Sequence, residues 1–492
     1  DLHSFPTRRS SDLWSLSYRE YEKKLLSCDE AAGLVKSGDW VDFCQVGAFP
    51  KGMDEALARR KDELTDIKIR NAITLSPVAC LEADLKNDVF TYNLWHCSGI
   101  DRKYIDGGRA FFSPMLFRDC GTYYDRGFAP VDVAIINVTP MDEDGYFNFG
   151  VNNCCSREVL EAAKTIIVEV VEDMPRVNDI FSEKLFVQAD EEEEAEAEDL
   201  KSQEFEDILK PSILNDRIHI SCVDAVVEGG KKFQTLPMAG AGQIDKEIAQ
   251  QIFPYLYDGI TLQLGIGGLP NALGSLIAES DIKDVGMHTE LVSDGYMELF
   301  RAGKLTNRCK EIDRCKGVFA IAAGSRELYD FLQDEKSIVS APISYVNNPE
   351  IISAFDNFVS INGCIAADLY GQVSSESVGT RHISGTGGQL DFVTGAYNSL
   401  KGKSFLAMPS TRQDKEGRKH SNILPYFSSG DIITTPRTQT QHIVTEYGVA
   451  FLPGKATWQR AESIIAIAHP DFRDELIATA EKQGIWRKSN KR

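Results

Sequence analysis

Two runs of β-branched residues fix the fold class. They are Val133-Ala134-Ile135-Ile136-Asn137-Val138 and Thr165-Ile166-Ile167-Val168-Glu169-Val170-Val171, and SREVLEAAK (residues 156–164), with helical spacing, lies between them. A strand covered on both faces reads as a continuous apolar run, and strand, helix, strand at this spacing closes a parallel pair through a crossover helix. Ser156 suits the cap of that helix. The prediction is an α/β fold built on mostly parallel, open sheets.

The pattern occurs twice. Val46-Gly47-Ala48-Phe49-Pro50 and Ile266-Gly267-Gly268-Leu269-Pro270 each follow an apolar run and precede a helix-like stretch. Asp142-Glu143-Asp144-Gly145-Tyr146-Phe147 and Asp368-Leu369-Tyr370-Gly371-Gln372-Val373 echo one another later in each half, in the same order. Two related α/β domains are expected, at 14–228 and 244–486. Residues 1–13 read as the translation of an adapter oligonucleotide and are set aside as a non-native tail. Residues 178–212, centred on the acidic run Asp190–Asp199, lack apolar periodicity and are expected to be a disordered insertion, and deleting roughly 180–210 is expected to leave activity nearly intact.

The formal net charge is −21, which argues against a nucleic-acid partner because phosphate recognition needs a basic surface. No apolar run reaches the ~20 residues that span a bilayer, so no membrane partner is expected. Eleven cysteines without a Cys-x-x-Cys pair suggest neither a disulfide framework nor a metal site, and fit reduced thiols in a cytoplasm. An anionic ligand would need a local cation, for which Arg381 and Lys403 are candidates.

Chemistry concentrates in 261–295. Leu262-Gln263-Leu264 ends a strand, Gly265 to Asn271 forms a glycine turn, and Ala272 to Ala278 is a helix. Such a turn exposes backbone N–H groups and a helix N-terminus to a ligand. It lacks the third glycine of a dinucleotide-binding turn. About twenty residues on, Gly286-Met287-His288-Thr289-Glu290-Leu291-Val292-Ser293-Asp294-Gly295 brings a carboxylate to the C-terminal end of a strand, where open α/β sheets bind ligands. Gln263 and His288 are candidates to orient Glu290, with a structural role for each equally open. A second glycine turn follows at Ser384-Gly385-Thr386-Gly387-Gly388-Gln389-Leu390-Asp391-Phe392.

These segments, with LQLGIGGLPNALG, HTELVSDG, YGQVSSESVGTRHISGTGGQLDF, VTEYGVA and KATWQRAE, resemble the acetyl-CoA hydrolase/transferase branch of the family I CoA-transferases over roughly 15–178 and 213–486. The resemblance implies two α/β domains of the CoA-transferase type, the second carrying Glu290 as a covalent nucleophile. It implies that Gly265, Ile266, Gly267, Gly268 and Leu269 lie along coenzyme A, that Gly387 and Gly388 also contact it, that Ile365 lines the pantetheine path, and that Lys403 is a further contact. No metal is implied. Coenzyme A is implied as substrate and covalent intermediate, with short-chain carboxylates as partners and a homodimer or larger homo-oligomer as the assembly. The implied reaction moves CoA from butyryl-CoA or a similar acyl-CoA to acetate, with acyl-CoA hydrolysis as the alternative. Ala366 departs from the family pattern, where a glutamate often precedes the Asp-Leu-Tyr-Gly run, and this puts in doubt one supporting hydrogen bond.

Overall fold

A computed structural model describes residues 8–43, 45, 49–182, 212–229, 232–236 and 240–490. They pack into two compact units. One takes the described residues of 1–113, 119–236 and 320–344, and the other those of 114–118, 237–319 and 345–492.

The first unit is built on eight parallel strands in the spatial order Leu25–Leu26, Ala225–Val227, Ala163–Val170, Val131–Val138, Trp40–Phe43, Ile67–Asn71, Phe90–Leu94 and Ala110–Phe112. Both strands foreseen around SREVLEAAK are present and adjacent, and the crossover helix is Ser156–Ala162. The expected cap is not. Cys155 holds the cap position without a side-chain capping bond, and the Ser156 hydroxyl instead donates to the Asn152 carbonyl at 2.7 Å. Side-chain oxygens that could cap a helix also serve nearby loop carbonyls, and the loop won here.

In the core of this unit, Arg70 Nη1 meets Asp42 Oδ2 at 2.7 Å, the Tyr124 hydroxyl donates to Asp42 Oδ1 at 2.9 Å, and the guanidinium lies 4.6 Å from the Trp40 ring. Burial pushes the Asp42 carboxyl up to about 6 against the pull of Arg70. Removing one partner of such a pair strands a buried charge. Arg70→Ala is therefore expected to destabilise the protein by ~3–5 kcal/mol, read as a fall in the urea midpoint.

The second unit repeats the plan. Its strands run in the order Gly286–Val292, Thr261–Leu264, Phe358–Gly363, Lys403–Ala407, His442–Thr445 and Gly448–Phe451. Neighbours in this order pair in parallel except for the last two strands, which form a hairpin. In the first unit Ile67–Asn71, Phe90–Leu94 and Ala110–Phe112 fill one side of Trp40–Phe43 before Val131–Val138, Ala163–Val170 and Ala225–Val227 step outward on the other; in the second Gly286–Val292 lies on one side of Thr261–Leu264 before the later strands step outward on the other. This shared filling of one side before the other agrees with the two sequence echoes, although residues 46–48 of the first echo lie outside the described residues. Where the chain changes side, between Thr261–Leu264 and Phe358–Gly363, the loops diverge and leave a crevice at the strands' C-terminal ends.

Of the acidic stretch, 183–211 lies outside the described residues. Its borders are packed. Ile180 and Ser182 are buried, Asp179 accepts from Asn153 Nδ2 at 2.7 Å, and the Ser182 hydroxyl donates to Asp216 at 3.2 Å. Residues 1–7 also lie outside the described residues, and the first helix is Arg8–Lys24. No helix among the described residues is long and apolar enough to cross a membrane, and no cluster among them could hold a metal ion.

Candidate active site

The crevice of the second unit holds most of the residues singled out in the sequence. The strand Thr261–Leu264 ends at Gly265, and the helix Gly268–Glu279 starts four residues before the expected Ala272, so the turn itself is only 265–267. Gly267 has φ +119°, a conformation that L side chains rarely adopt, and Ile266 at the tip is half exposed. A Cβ on Gly268 would collide with the Asp245 carboxylate, which lets the helix Gln243–Ile252 close against the turn. Ile266, Gly268 and Leu269 line a cleft of about 210 Å³ whose other wall is Ile361, Asn362, Gly363 and Cys364. Ile365 follows directly, its N–H bonded to the Ser374 carbonyl at 2.9 Å.

Glu290 stands two residues before the end of Gly286–Val292, at the same C-terminal edge. Its Oε2 accepts from Asn347 Nδ2 at 2.6 Å, and the backbone of Gly388 faces the same carboxyl group at close range. Burial pushes this carboxyl up to about 7 from an ordinary 4.5, with Asn347 and the Gly388 backbone pulling the other way. Gly387 has φ +53°, and a Cβ on Gly388 would fall on Glu290 Oε2 and Asn347 Nδ2. The second glycine turn is therefore shaped around the carboxylate. It is pinned by Ile383 N–H to the Glu376 carbonyl at 2.7 Å, by Thr386 Oγ1 to Glu376 Oε1 at 2.9 Å, and by Gln389, which accepts from Ser375 Oγ and donates to Thr435 Oγ1.

The other expected residues are spread over the unit. Lys403 begins its strand level with Val359 and, through Leu262, with Met287, three residues before Glu290, and its ammonium lies 4.6 Å from the Tyr257 ring. Arg381 is exposed on the hairpin that leads into the second glycine turn. Gln263 does not reach Glu290. Its amide is tied to Ser360 Oγ at 2.8 Å and Asn362 at 3.1 Å on the next strand. His288 packs on Phe355 and pairs Nε2 with the Val346 carbonyl at 2.8 Å, and burial lowers its pKa to about 3, so it is neutral. It reaches Glu290 only indirectly, by holding the residue before Asn347. Ala366 is buried and pairs with Ser374.

Asn347 was not foreseen. The next residue, Asn348, caps the helix Pro349–Ser353 by accepting from Glu350 N–H, with proline at the first helical position. That capping signal is readable from the sequence and absorbs both asparagines. Nothing local distinguishes the one that faces Glu290.

A crevice at a strand-order reversal, two glycine turns and a desolvated carboxylate held by an N–H donor suit acyl transfer from an extended anionic ligand. Comparison with known proteins agrees. Residues 8–234 match the acetyl-CoA hydrolase/transferase N-terminal domain and 324–480 the C-terminal domain of the same family. A butyryl-CoA:acetate CoA-transferase of Anaerostipes caccae is 45% identical, over 96% of this chain and 99% of that protein. A probable butyrate:acetyl-CoA coenzyme A-transferase of Syntrophomonas wolfei is 46% identical, over 96% of this chain and 98% of that one. Among solved structures, RipA from Yersinia pestis is 32% identical with a TM-score of 0.81, covering 95% of this chain and 99% of its own. The 4-hydroxybutyrate CoA-transferase of Porphyromonas gingivalis is 29% identical with a TM-score of 0.71, covering 96% and 100%. The chain belongs to the acetyl-CoA hydrolase/transferase family, whose fold of two α/β units with mostly parallel sheets it shares.

Proposed function

We propose that this chain is a CoA-transferase that moves CoA from butyryl-CoA, or a similar short-chain acyl-CoA, to acetate through a glutamyl-CoA thioester on Glu290. The observation that carries the reading is the Glu290 carboxyl group, desolvated at the crevice, held by Asn347 Nδ2 and closely faced by the Gly388 backbone. The preference for butyryl-CoA and acetate rests on the names of the two relatives at 45% and 46% identity.

In the first half-reaction a Glu290 oxygen attacks the thioester carbonyl, a C–O bond forms, the C–S bond breaks, and CoA leaves as the thiolate. The thiolate then attacks the glutamyl carbonyl of the mixed anhydride and expels the acyl group as a free carboxylate. Acetate reverses both steps on the glutamyl-CoA thioester and departs as acetyl-CoA, which restores the Glu290 carboxylate. Each attack at the glutamyl carbon places negative charge on a glutamyl oxygen. The Asn347 donor already facing Glu290 is placed to hold it, and a donor of this kind is worth about 2.7–4 kcal/mol where one has been removed. Coenzyme A is assigned to the cleft along Gly265 to Leu269 and past Ile365, where contacts remote from the thioester supply binding energy used at the reacting carbon.

A panel of acyl-CoA donors assayed with and without acetate tests the reading. Ping-pong kinetics and an acetate requirement are expected, with butyryl-CoA among the better donors. Acyl-CoA consumed equally fast without acetate would make the chain a hydrolase. A methylene in a pocket is worth only ~1–3 kcal/mol, so neighbouring chain lengths should differ by modest factors.

A further inference from the structure

The first unit holds a pair of thiols that the transfer reaction does not use. Cys120 opens the helix Cys120–Asp125, and Cys155 holds the cap position of the helix Ser156–Ala162. Their Sγ atoms lie 2.9 Å apart, both side chains are buried, and neither is in a disulfide. A disulfide bond is about 2.05 Å long, so joining the two sulfurs needs a closure of only about 0.9 Å. The backbone supports this approach. A Cβ on Gly121 would come within 3.1 Å of the Glu158 side chain, tighter than side chains ordinarily pack, so a glycine lets the first helix lie this close to the second.

One amide sorts the thiols around it. Gln45 Oε1 accepts from Cys154 Sγ at 3.4 Å, while Gln45 Nε2 donates to Cys155 Sγ at 3.4 Å. Cys154 therefore commits its proton to a carbonyl, and Cys155 faces two groups able to donate to it, the Gln45 amide and the Cys120 thiol. The Cys120 bond holds the Cys155 thiol well below the ordinary thiol range, with Gln45 acting the same way and burial opposing both. Burial pushes the Cys120 thiol well above that range. One sulfur is thus suited to attack, and the other keeps its proton until it is needed. Beside them Gln45, Trp95, Tyr124, Asn152, Cys154 and Cys155 border a cavity of about 20 Å³, room for a solute of water's size.

We propose that Cys120 and Cys155 form a modification site, a dithiol that a hydroperoxide oxidises to a disulfide within the first unit. The Cys155 sulfur, as thiolate, attacks one peroxide oxygen. An S–O bond forms, the O–O bond breaks, and the hydroxide that leaves takes up the proton Cys155 has shed. The Cys120 sulfur then attacks the sulfenic sulfur. An S–S bond forms, the S–O bond breaks, and the second hydroxide leaves as water with the Cys120 proton. Two thiols and one hydrogen peroxide become one disulfide and two waters, the sulfurs giving up two electrons and the peroxide oxygens gaining them. The adjacent Cys120 stops Cys155 short of sulfinic acid, and a dithiol reductant restores both thiols.

The test treats the unmodified full chain with hydrogen peroxide, stops the reaction with catalase, blocks remaining thiols with N-ethylmaleimide in denaturant, and maps tryptic peptides by mass. The peptide 119–126, which holds Cys120, should be found joined to 127–157, which holds Cys154 and Cys155, with the loss of two hydrogen atoms. Dithiothreitol should undo the link. Fragmentation between residues 154 and 155 should place the bond on Cys155. The link should vanish in Cys155→Ser and persist in Cys154→Ser, and should Cys155→Ser fail to fold, the fragmentation of the unmodified chain decides. Peroxide given to the urea-unfolded chain should scatter the pairing among the eleven cysteines. A bond on Cys154, a bond from Cys120 to any other cysteine, sulfinic or sulfonic acid on Cys155 with Cys120 still free to take maleimide, or both thiols unreacted overturns the proposal. So does a 120–155 link that forms equally well in urea, since the folded geometry would then have no part in it.

Discussion

Glu290→Ala is expected to abolish CoA transfer, because no neighbouring group can carry the acyl group and CoA in turn. Asn347 is an amide, His288 is neutral and engaged with the Val346 carbonyl, and Asp391 is fully buried. Glu290→Asp should fail nearly as badly. The shorter arm withdraws the carboxylate from Asn347 Nδ2, and a misplacement of ~1 Å can cost about 10²-fold. Incubated with butyryl-CoA alone, the unmodified protein should gain the mass of CoA less water. Borohydride should then mark the one peptide containing Met287-His288-Thr289-Glu290. A label on any other residue, or normal turnover in Glu290→Ala, would refute the mechanism. The free enzyme should also gain activity as pH rises through about 7, since only the ionised carboxylate attacks. The sign for stability is opposite. Between about 4.5 and 7 the folded protein keeps a proton that the unfolded chain has lost, so this group's contribution to stability falls as pH rises across that window. Glu290→Gln, isosteric and unable to ionise, should lose that part of the pH dependence of the urea midpoint.

Gly388→Val carries the second large effect. The family resemblance implies that this glycine lies against coenzyme A, so a side chain there is expected to block CoA binding while leaving the fold intact. The structure adds a nearer obstacle, since even a Cβ at 388 would fall on Glu290 Oε2 and Asn347 Nδ2. Gly388→Ala should therefore suffice to push the nucleophile aside, with kcat falling by about 10²-fold. Gly388→Val should add loss of acyl-CoA affinity to that defect. Parallel kinetics on the two variants, with circular dichroism to verify folding, separate the effects. Wild-type kcat in a folded Gly388→Ala would show that the turn can yield and that its approach to Glu290 is unimportant.

The chain's own patterns determined the α/β class, the duplication and the two glycine turns, because each rests on local physics. Continuous apolar runs such as 133–138 mark strands covered on both faces, and Gly267 and Gly387 supply backbone angles that other residues resist. The motif around Glu290 was legible for a similar reason, since a carboxylate at a strand's C-terminal end is a statement about neighbours in the chain. Tertiary structure alone decided which groups meet Glu290. Asn347 lies 57 residues on, and Gly388 comes from the turn that leads into the helix Gln389–Asn398. Such contacts are set by how strands order themselves across a sheet, which leaves no period in the sequence. The same cause tied Gln263 to its neighbouring strand. Its residue type suits the chemistry, and only the pairing of the parallel strands shows that its amide is taken up there and does not reach Glu290.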